Sequence, residues 1–163
     1  MDPEAILAAI EQQQNSEAEP REEEERVSYL GFYLGAEVYG LPLDQLREVA
    51  RVSHLRRVPG APAGVAGLVN LRGEILCALD VREILGLPAL ASTDSSFLVA
   101  LRGFGDPLGL IVDSIADIYA VLPSEIEPLP ATWSTERAAC FIGTARVPVG
   151  LMGLLDLARV TKV

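Results

Sequence analysis

The residues able to do chemistry are few and badly grouped for it. His54 is the only histidine of 163 residues and stands between Ser53 and Leu55, close to Arg56 and Arg57. As a general base it needs an orienting partner and a nucleophile, and the sequence nominates neither. Cys77 lies inside the apolar run Leu76–Leu79, where a buried, inert thiol is the favoured reading. Cys77 and Cys140 have no CxxC spacing, which speaks against a metal site or a disulfide framework. Asp113 and Asp117 are four residues apart, but no third carboxylate or histidine completes a ligand set. Asp80 and Asp156 each follow an apolar run and open a short helical pattern, so helix capping accounts for both. The glycines form neither GxGxxG nor GxxxxGK[ST], leaving phosphate cradling unsupported. No metal and no cofactor is expected. An enzyme using Cys77 or His54 stays as a remote alternative, which requires one of them exposed in a cleft with a perturbed pKa.

One charged residue stands out for its setting. Arg72 sits at the tip of Val65–Leu87, between Asn70-Leu71 and Gly73, in an otherwise apolar stretch. Asn and Gly flanking it mark a tight turn. Two readings stay open at this point: a solvated turn arginine of little consequence, or a fixed guanidinium that docks on a partner's carboxylate.

The elements that must position such a turn belong to a chain long enough for one domain or two small ones, with half its residues hydrophobic. Residues 1–26 carry nine acids against Arg21 and Arg26, a net of −7, while the remainder nets only −3. Neither part offers the basic face that nucleic acid requires. No apolar run approaches the roughly 18 residues of a membrane span. The acidic start lacks the pattern of a signal peptide, and a reduced cytosolic compartment is expected.

Asp2-Pro3-Glu4 is a helix opening, and Ile6, Leu7 and Ile10 share one face of about three turns. Residues 12–26 lose periodicity and are read as a solvated linker. The leader as a whole is either a disordered tail, the favoured reading, or docks through Ile6, Leu7 and Ile10. From Val27 onward short strands take over: Tyr29–Leu34, a turn at Gly35-Ala36, Glu37–Leu41, then Val52–Val58 and Ile75–Leu79. Leu43, Leu46 and Val49 recur every three residues and suggest one or two helical turns after Pro42. Residues 89–96 read as a connection, followed by strands Phe97–Leu101 and Leu108–Val112. Thr132–Glu136 reads as a surface loop around Trp133. Cys140–Ile142 and Val147–Val149 are expected to flank a turn at Gly143-Thr144-Ala145.

The pattern repeats. Gly40–Val49 aligns with Gly109–Ile118 at an offset of 69, and Leu79–Ile84 with Leu155–Val160 at an offset of 76. Two matches in the same order argue for a duplicated unit, and strands this short and numerous suggest two small β-barrels packed side by side, with ancillary helices after Pro42, Leu79 and Leu155.

Tyr39-Gly40-Leu41-Pro42, Leu46-Arg47-Glu48-Val49, Pro59, Pro62, Gly67, Asn70-Leu71-Arg72-Gly73-Glu74-Ile75 and Leu79-Asp80-Val81-Arg82 together resemble the CheW-type chemotaxis coupling proteins, from about Val27 to Val160. The resemblance implies a mainly β chain: a CheW-like fold of two packed five-stranded SH3-like β-barrels with a few short helices. Residues 1–26 would be a leader, 27–90 the first barrel and 95–163 the second. It implies a non-catalytic adaptor coupling the cytoplasmic tip of a methyl-accepting chemoreceptor to the regulatory domain of a chemotaxis-type histidine kinase. It would be cytoplasmic and associated with membrane-bound receptor arrays, without inserting into the membrane itself. The alternative within the class is an adaptor of a pilus, gliding or developmental chemosensory pathway, with or without coupling to the kinase. By position, the resemblance puts Leu46, Glu48, Val49, Gly67, Asn70 and Arg72 on or beside the receptor- and kinase-facing surfaces. It further suggests a Glu48–Arg72 charge pair across the edge of the first barrel.

Overall fold

A computed structural model describes residues 2–15, 25–88, 96–103 and 105–161, with the side chains of 13–15 left aside. Eleven strands and three helices are assigned among them. Val27–Leu34 (β1) and Glu37–Pro42 (β2) form the first hairpin, turning at Gly35-Ala36 as the sequence predicts. Leu46–Arg51 (β3), Leu55–Arg56 (β4), Val65–Leu71 (β5) and Glu74–Leu79 (β6) follow. After them come Phe97–Leu101 (β7), Leu108–Val112 (β8), Ser114–Val121 (β9), Phe141–Val147 (β10) and Gly150–Leu155 (β11). The described residues contain no helix long and apolar enough to cross a membrane.

The strands form two sheets, β10-β11-β2-β1-β9 and β3-β7-β8-β6-β5-β4. Substituting each strand by its counterpart in the repeat turns one order into the other, β4 aside. β1, β2 and β9 correspond to β7, β8 and β3, and β10 and β11 to β5 and β6. The parallel pairs obey the same rule: Ala78 faces Gly109, and Leu154 faces Gly40. The irregularities repeat as well. The ladders slip between Leu46 and Glu48 in β3 and between Ile115 and Asp117 opposite β1. They slip again between Val65 and Gly67 in β5 and between Phe141 and Gly143 in β10. Such bulges kink a strand and re-aim its side chains. The chain is a mainly β protein of two packed barrel-like sheets.

The division into sequential barrels at about residue 90 does not describe how the strands are shared. Each sheet takes its leading hairpin from one half of the chain and the rest from the other, three strands in the five-stranded sheet and four in the six-stranded one. The crossing points are the β2–β3 and β8–β9 junctions, where the chain leaves one sheet and enters its neighbour. Each sheet encloses its own apolar cluster, and the repeat pairs their members: Val69 with Ala145, Leu76 with Met152, Val52 with Val121. A larger core, including Leu30, Phe32, Leu79, Leu110 and Leu155, draws on both sheets.

Several local expectations need correcting. Leu43, Leu46 and Val49 are not on one helix: Leu43–Gln45 is a single 3-10 turn, and Leu46 and Val49 belong to β3. The bulge at Arg47 shifts the strand's alternation by one, so buried Leu46 and Val49 come three residues apart and mimic a helical period. The expected strand Val52–Val58 shrinks to Leu55–Arg56. Gly143-Thr144-Ala145 is mid-strand in β10, and the turn comes at Pro148-Val149. Small residues are needed there for packing: a Cβ on Gly143 would lie 2.6 Å from Ile126 Cγ2, and Thr144 bridges to Glu127. The helix expected from Asp80 is only a turn. Leu85 N–H donates to Val81 O, and Gly86 and Leu87 close it on Glu83 and Arg82 in a Schellman arrangement. Asp80 Oδ1 accepts from Arg82 N (3.0 Å) and so opens a turn rather than capping a helix, while Asp156 Oδ1 accepts from Ala158 N (3.1 Å) as a helix cap. Asp156 caps a true short helix, Leu157–Val160 (α3). The loop around Trp133 contains a helical turn, Thr135–Ala138 (α2), capped by Ser134. The connection expected at 89–96 lies, except for Ser96, outside the described residues.

The leader departs furthest from expectation. Pro3–Asn15 is a helix (α1), capped by Asp2 through Ala5 N at 2.8 Å. It packs on β3 and on the 3-10 turn before it. Ile6 and Ile10 are 0% and 1% exposed within the large core, while Leu7 is half-buried. A disordered tail is therefore the wrong reading for these residues. Burying two isoleucines gains about 2–3 kcal/mol each, enough to order a helix too short to persist alone in water. Most of the expected linker falls at 16–24, outside the described residues.

Candidate functional site

Arg72 and Gly73 are the two central residues of the β5–β6 hairpin turn. Both have positive φ, 53° and 86°, as a type I′ turn demands. Arg72 is the only non-glycine residue with positive φ among those described. A left-handed conformation costs an L-residue about 1–2 kcal/mol. Asparagine supports the turn from below, Asn70 Oδ1 accepting from Gly73 N at 2.9 Å. Glycine at this position would be less strained, so the arginine is held there at a cost to the fold.

Its side chain is 71% exposed, yet one end is fixed. Arg72 Nη2 lies 2.9 Å from Oε2 of Glu48, whose side chain is only 10% exposed. The approach is off the hydrogen-bonding direction, so the contact is an ion pair and Oε2 keeps no directed donor. The charge pair suggested by the resemblance is present. Arg47 completes the group, with Nε 3.8 Å from Glu48 Oε1 and Nη1 2.5 Å from Glu74 Oε1. Two arginines and two glutamates thus link β3 to the β5–β6 turn and cancel in charge. Ile75, opposite Asn70 in the ladder, is 52% exposed beside them. The result is an exposed apolar residue rimmed by fixed charges.

The six residues named from the resemblance do not all reach that surface. Asn70 and Arg72 do, with Glu48 directly beneath. Leu46 and Val49 are 0% and 2% exposed, under α1 in the core, because the β3 bulge turns both inward. Gly67 is also buried: it follows the β5 bulge at Ala66, and a Cβ on it would stand 2.4 Å from the carbonyl oxygen of Arg56. These three are buried beneath that surface. Arg47 and Glu74 were missed as members. Their signal was adjacency alone, each being next to a site or turn residue.

A second charged group lies between the sheets. Arg82, 4% exposed, forms a bidentate pair with Asp113 in the β8–β9 crossover, and its Nε comes within 3.5 Å of Asp80. Asp113 Oδ2 also accepts from Gly35 N in the β1–β2 turn at 2.6 Å. The cluster ties turns of both sheets together. Although Arg82 lines a cleft of about 410 Å³ with Arg57 and Glu83, its charge is already matched by two aspartates.

The groups nominated for catalysis are scattered. His54 is exposed on the loop before β4. Cys77 is half-buried in β6, and burial pushes its thiol up, away from the thiolate a nucleophile needs. Cys140 is buried and shifted the same way, again by burial first. No group of three or more His, Cys, Asp or Glu able to hold a metal occurs among the described residues.

Residues 28–163 match the family described as "CheW-like domain". The chain is 28% identical over 155 residues to the chemotaxis protein CheW of Helicobacter pylori, covering 94% of this chain and 93% of that protein. It is 30% identical over 131 residues to CheW of Rhizobium meliloti, covering 80% and 84%. A shorter match, 26% over 88 residues, joins it to protein PilI of Pseudomonas aeruginosa, covering 54% and 49%. The crystal structure of the scaffolding protein TtCheW from Thermoanaerobacter tengcongensis has the same fold, with a TM-score of 0.77 at 24% identity over 90% of this chain and 95% of that one.

Proposed function

This chain belongs to the CheW-like domain family, and from that premise we propose that it is a non-catalytic adaptor joining a chemoreceptor to a chemotaxis-type histidine kinase. The observation that carries the reading is Arg72, held at positive φ on an exposed turn and fixed by a nearly buried Glu48. A guanidinium so restrained loses little freedom when it meets a partner's carboxylate. The partners are the cytoplasmic tip of a methyl-accepting chemoreceptor and the kinase regulatory domain, and the place of work is the cytoplasm, at membrane-bound arrays. Asn70, Arg72 and Ile75 make the contact, while Glu48, Arg47 and Glu74 set its geometry. An active site on Cys77 or His54 has no support in the burial of the one or the isolated exposure of the other.

Charge reversal tests the assignment. Arg72→Glu is expected to leave the fold intact and to weaken binding to a receptor-tip fragment, or to the kinase regulatory domain, about tenfold, roughly 1.4 kcal/mol. The double reversal Glu48→Arg/Arg72→Glu restores the ion pair but presents the wrong charge outward, so binding stays weak. Unchanged affinity for both partners in both variants overturns the site. The similarity to PilI favours a second reading, an adaptor of a pilus, gliding or developmental pathway that binds receptors without the kinase. Receptor binding with no kinase binding by the unaltered chain would select it.

A further inference from the structure

The charged group around Glu48 has no copy at the corresponding positions of the other sheet. At the two offsets of the repeat, Arg47 and Glu48 correspond to Ala116 and Asp117, and Arg72 and Glu74 to Pro148 and Gly150. The β3 bulge is what brings the first two together. Neighbouring residues of a regular strand point to opposite faces, but the ladder slips between Leu46 and Glu48, and Arg47 and Glu48 reach the same group.

Within that group one carboxylate faces two arginines. Glu48 Oε2 is buried and receives no hydrogen bond from the described residues, although Arg72 Nη2 stands 2.9 Å away. Arg47 Nε stands 3.8 Å from Oε1 of the same carboxylate, while its Nη1 is bonded to Glu74 at 2.5 Å. Arg47 is half-buried and Glu74 exposed, so a rotation of one side chain exchanges Glu74 for Glu48 without moving a strand. Two arginines and two glutamates balance only while nothing is docked. A partner's carboxylate on Arg72 makes that guanidinium serve two anions, and a buried carboxylate short of compensation is costly once the partner has excluded water.

We propose that Arg47 is a transfer residue: as a partner's carboxylate engages Arg72, Arg47 moves from Glu74 to Glu48 and leaves Glu74 to accept a cation of the partner. This rests on the adaptor reading above and gives the partner's surface a chemistry, an acid and a base side by side rather than an acid alone. Arg72 keeps its turn conformation and its contact with Glu48 throughout. Arg47 is thus a positioning residue, acting on the partner through Glu48.

Titration calorimetry on the full chain tests this, with a receptor-tip fragment or the kinase regulatory domain, whichever the unaltered chain binds more tightly. Arg47→Met keeps the stem and removes the charge, and is expected to weaken binding about tenfold. In a Glu48→Gln background no buried charge needs compensating, so the same substitution should change affinity less than about twofold. Glu48→Ala is a second neutral background should Glu48→Gln fail to fold. In a Glu74→Gln background the loss should remain about tenfold, because Arg47 acts on Glu48 in the complex. A loss that persists with Glu48 neutralised makes Arg47 a plain partner contact, and one that vanishes with Glu74 neutralised makes it a prop for Glu74. Either result overturns the proposal, as does an affinity that Arg47→Met leaves unchanged, and each leaves the adaptor reading standing. Failure of the unaltered chain to bind either partner overturns the adaptor reading and this proposal with it.

Discussion

At the scale of single residues, Arg82 and Arg72 show how burial decides what an ion pair is worth. Arg72 is largely solvated, so its pairing with Glu48 contributes at most about 1 kcal/mol to stability. Arg82 is buried against Asp113 and Asp80, and removing it strands two carboxylates between the sheets. Arg82→Ala is expected to cost about 3–5 kcal/mol, seen as a large fall in the urea midpoint. Arg82→Met paired with Asp113→Leu should recover much of that loss. A midpoint unmoved by Arg82→Ala would show that the pair is not the clamp described. The turn at Arg72 was readable from its Asn-Leu-Arg-Gly spacing, since turn chemistry is local. The burial of Leu46 and Val49 was not, because a bulge is decided by the partner strand, which lies about fifty residues further along the chain. Arg82 and Asp113 sit 31 residues apart, and nothing short of the topology brings them together.

Elements were legible where their signal is carried by neighbours in sequence. β1 with β2, β7 and β8 follow from apolar runs separated by glycine turns, and their bounds match closely. β10 was missed because its glycine, threonine and alanine look like a turn, whereas Ile126 and Glu127 pressing on them leave room for nothing larger. α1 was readable as a helix but not as a docked one, since its partner surface is built by β3 and the turn before it. The glycines that follow the bulges carry the strongest constraint at this scale. Gly67→Ala drives a Cβ against the backbone carbonyl of Arg56, which has no rotamer to escape by. A loss of about 1–3 kcal/mol is expected, with exchange quickening in β4 and β5. The equivalent Gly143→Ala meets a side chain first, Ile126, and should cost less. Equal penalties at the two sites would contradict the packing described.

For the whole molecule, the shared strands make the two sheets one cooperative unit. Neither sequence half contains a complete sheet: β1 and β2 need β9 and β11, and β7 and β8 need β3 and β6. Residues 27–88 and 96–163 expressed separately are therefore expected to remain unfolded alone and to gain β-structure only when mixed, as circular dichroism would record. The full chain should melt in a single transition with equal calorimetric and van't Hoff enthalpies. An independently folded half would refute this. The duplication itself was visible in the sequence at two offsets, and it pointed to two like units. The exchange of strands was invisible, because a repeat reports which segments are alike and not which of them pair.

The same exchange sets a timetable for synthesis. β1 is complete at Leu34, but the strand that covers its free edge, β9, ends at Val121. At about 5–20 residues per second, that edge stays open for on the order of ten seconds on the ribosome. An apolar strand with unpaired backbone groups is an invitation to pair with another chain. The fold thus makes its producing cell responsible for guarding a half-made sheet, and a holding chaperone should raise the yield of folded protein more than any change to the finished surface.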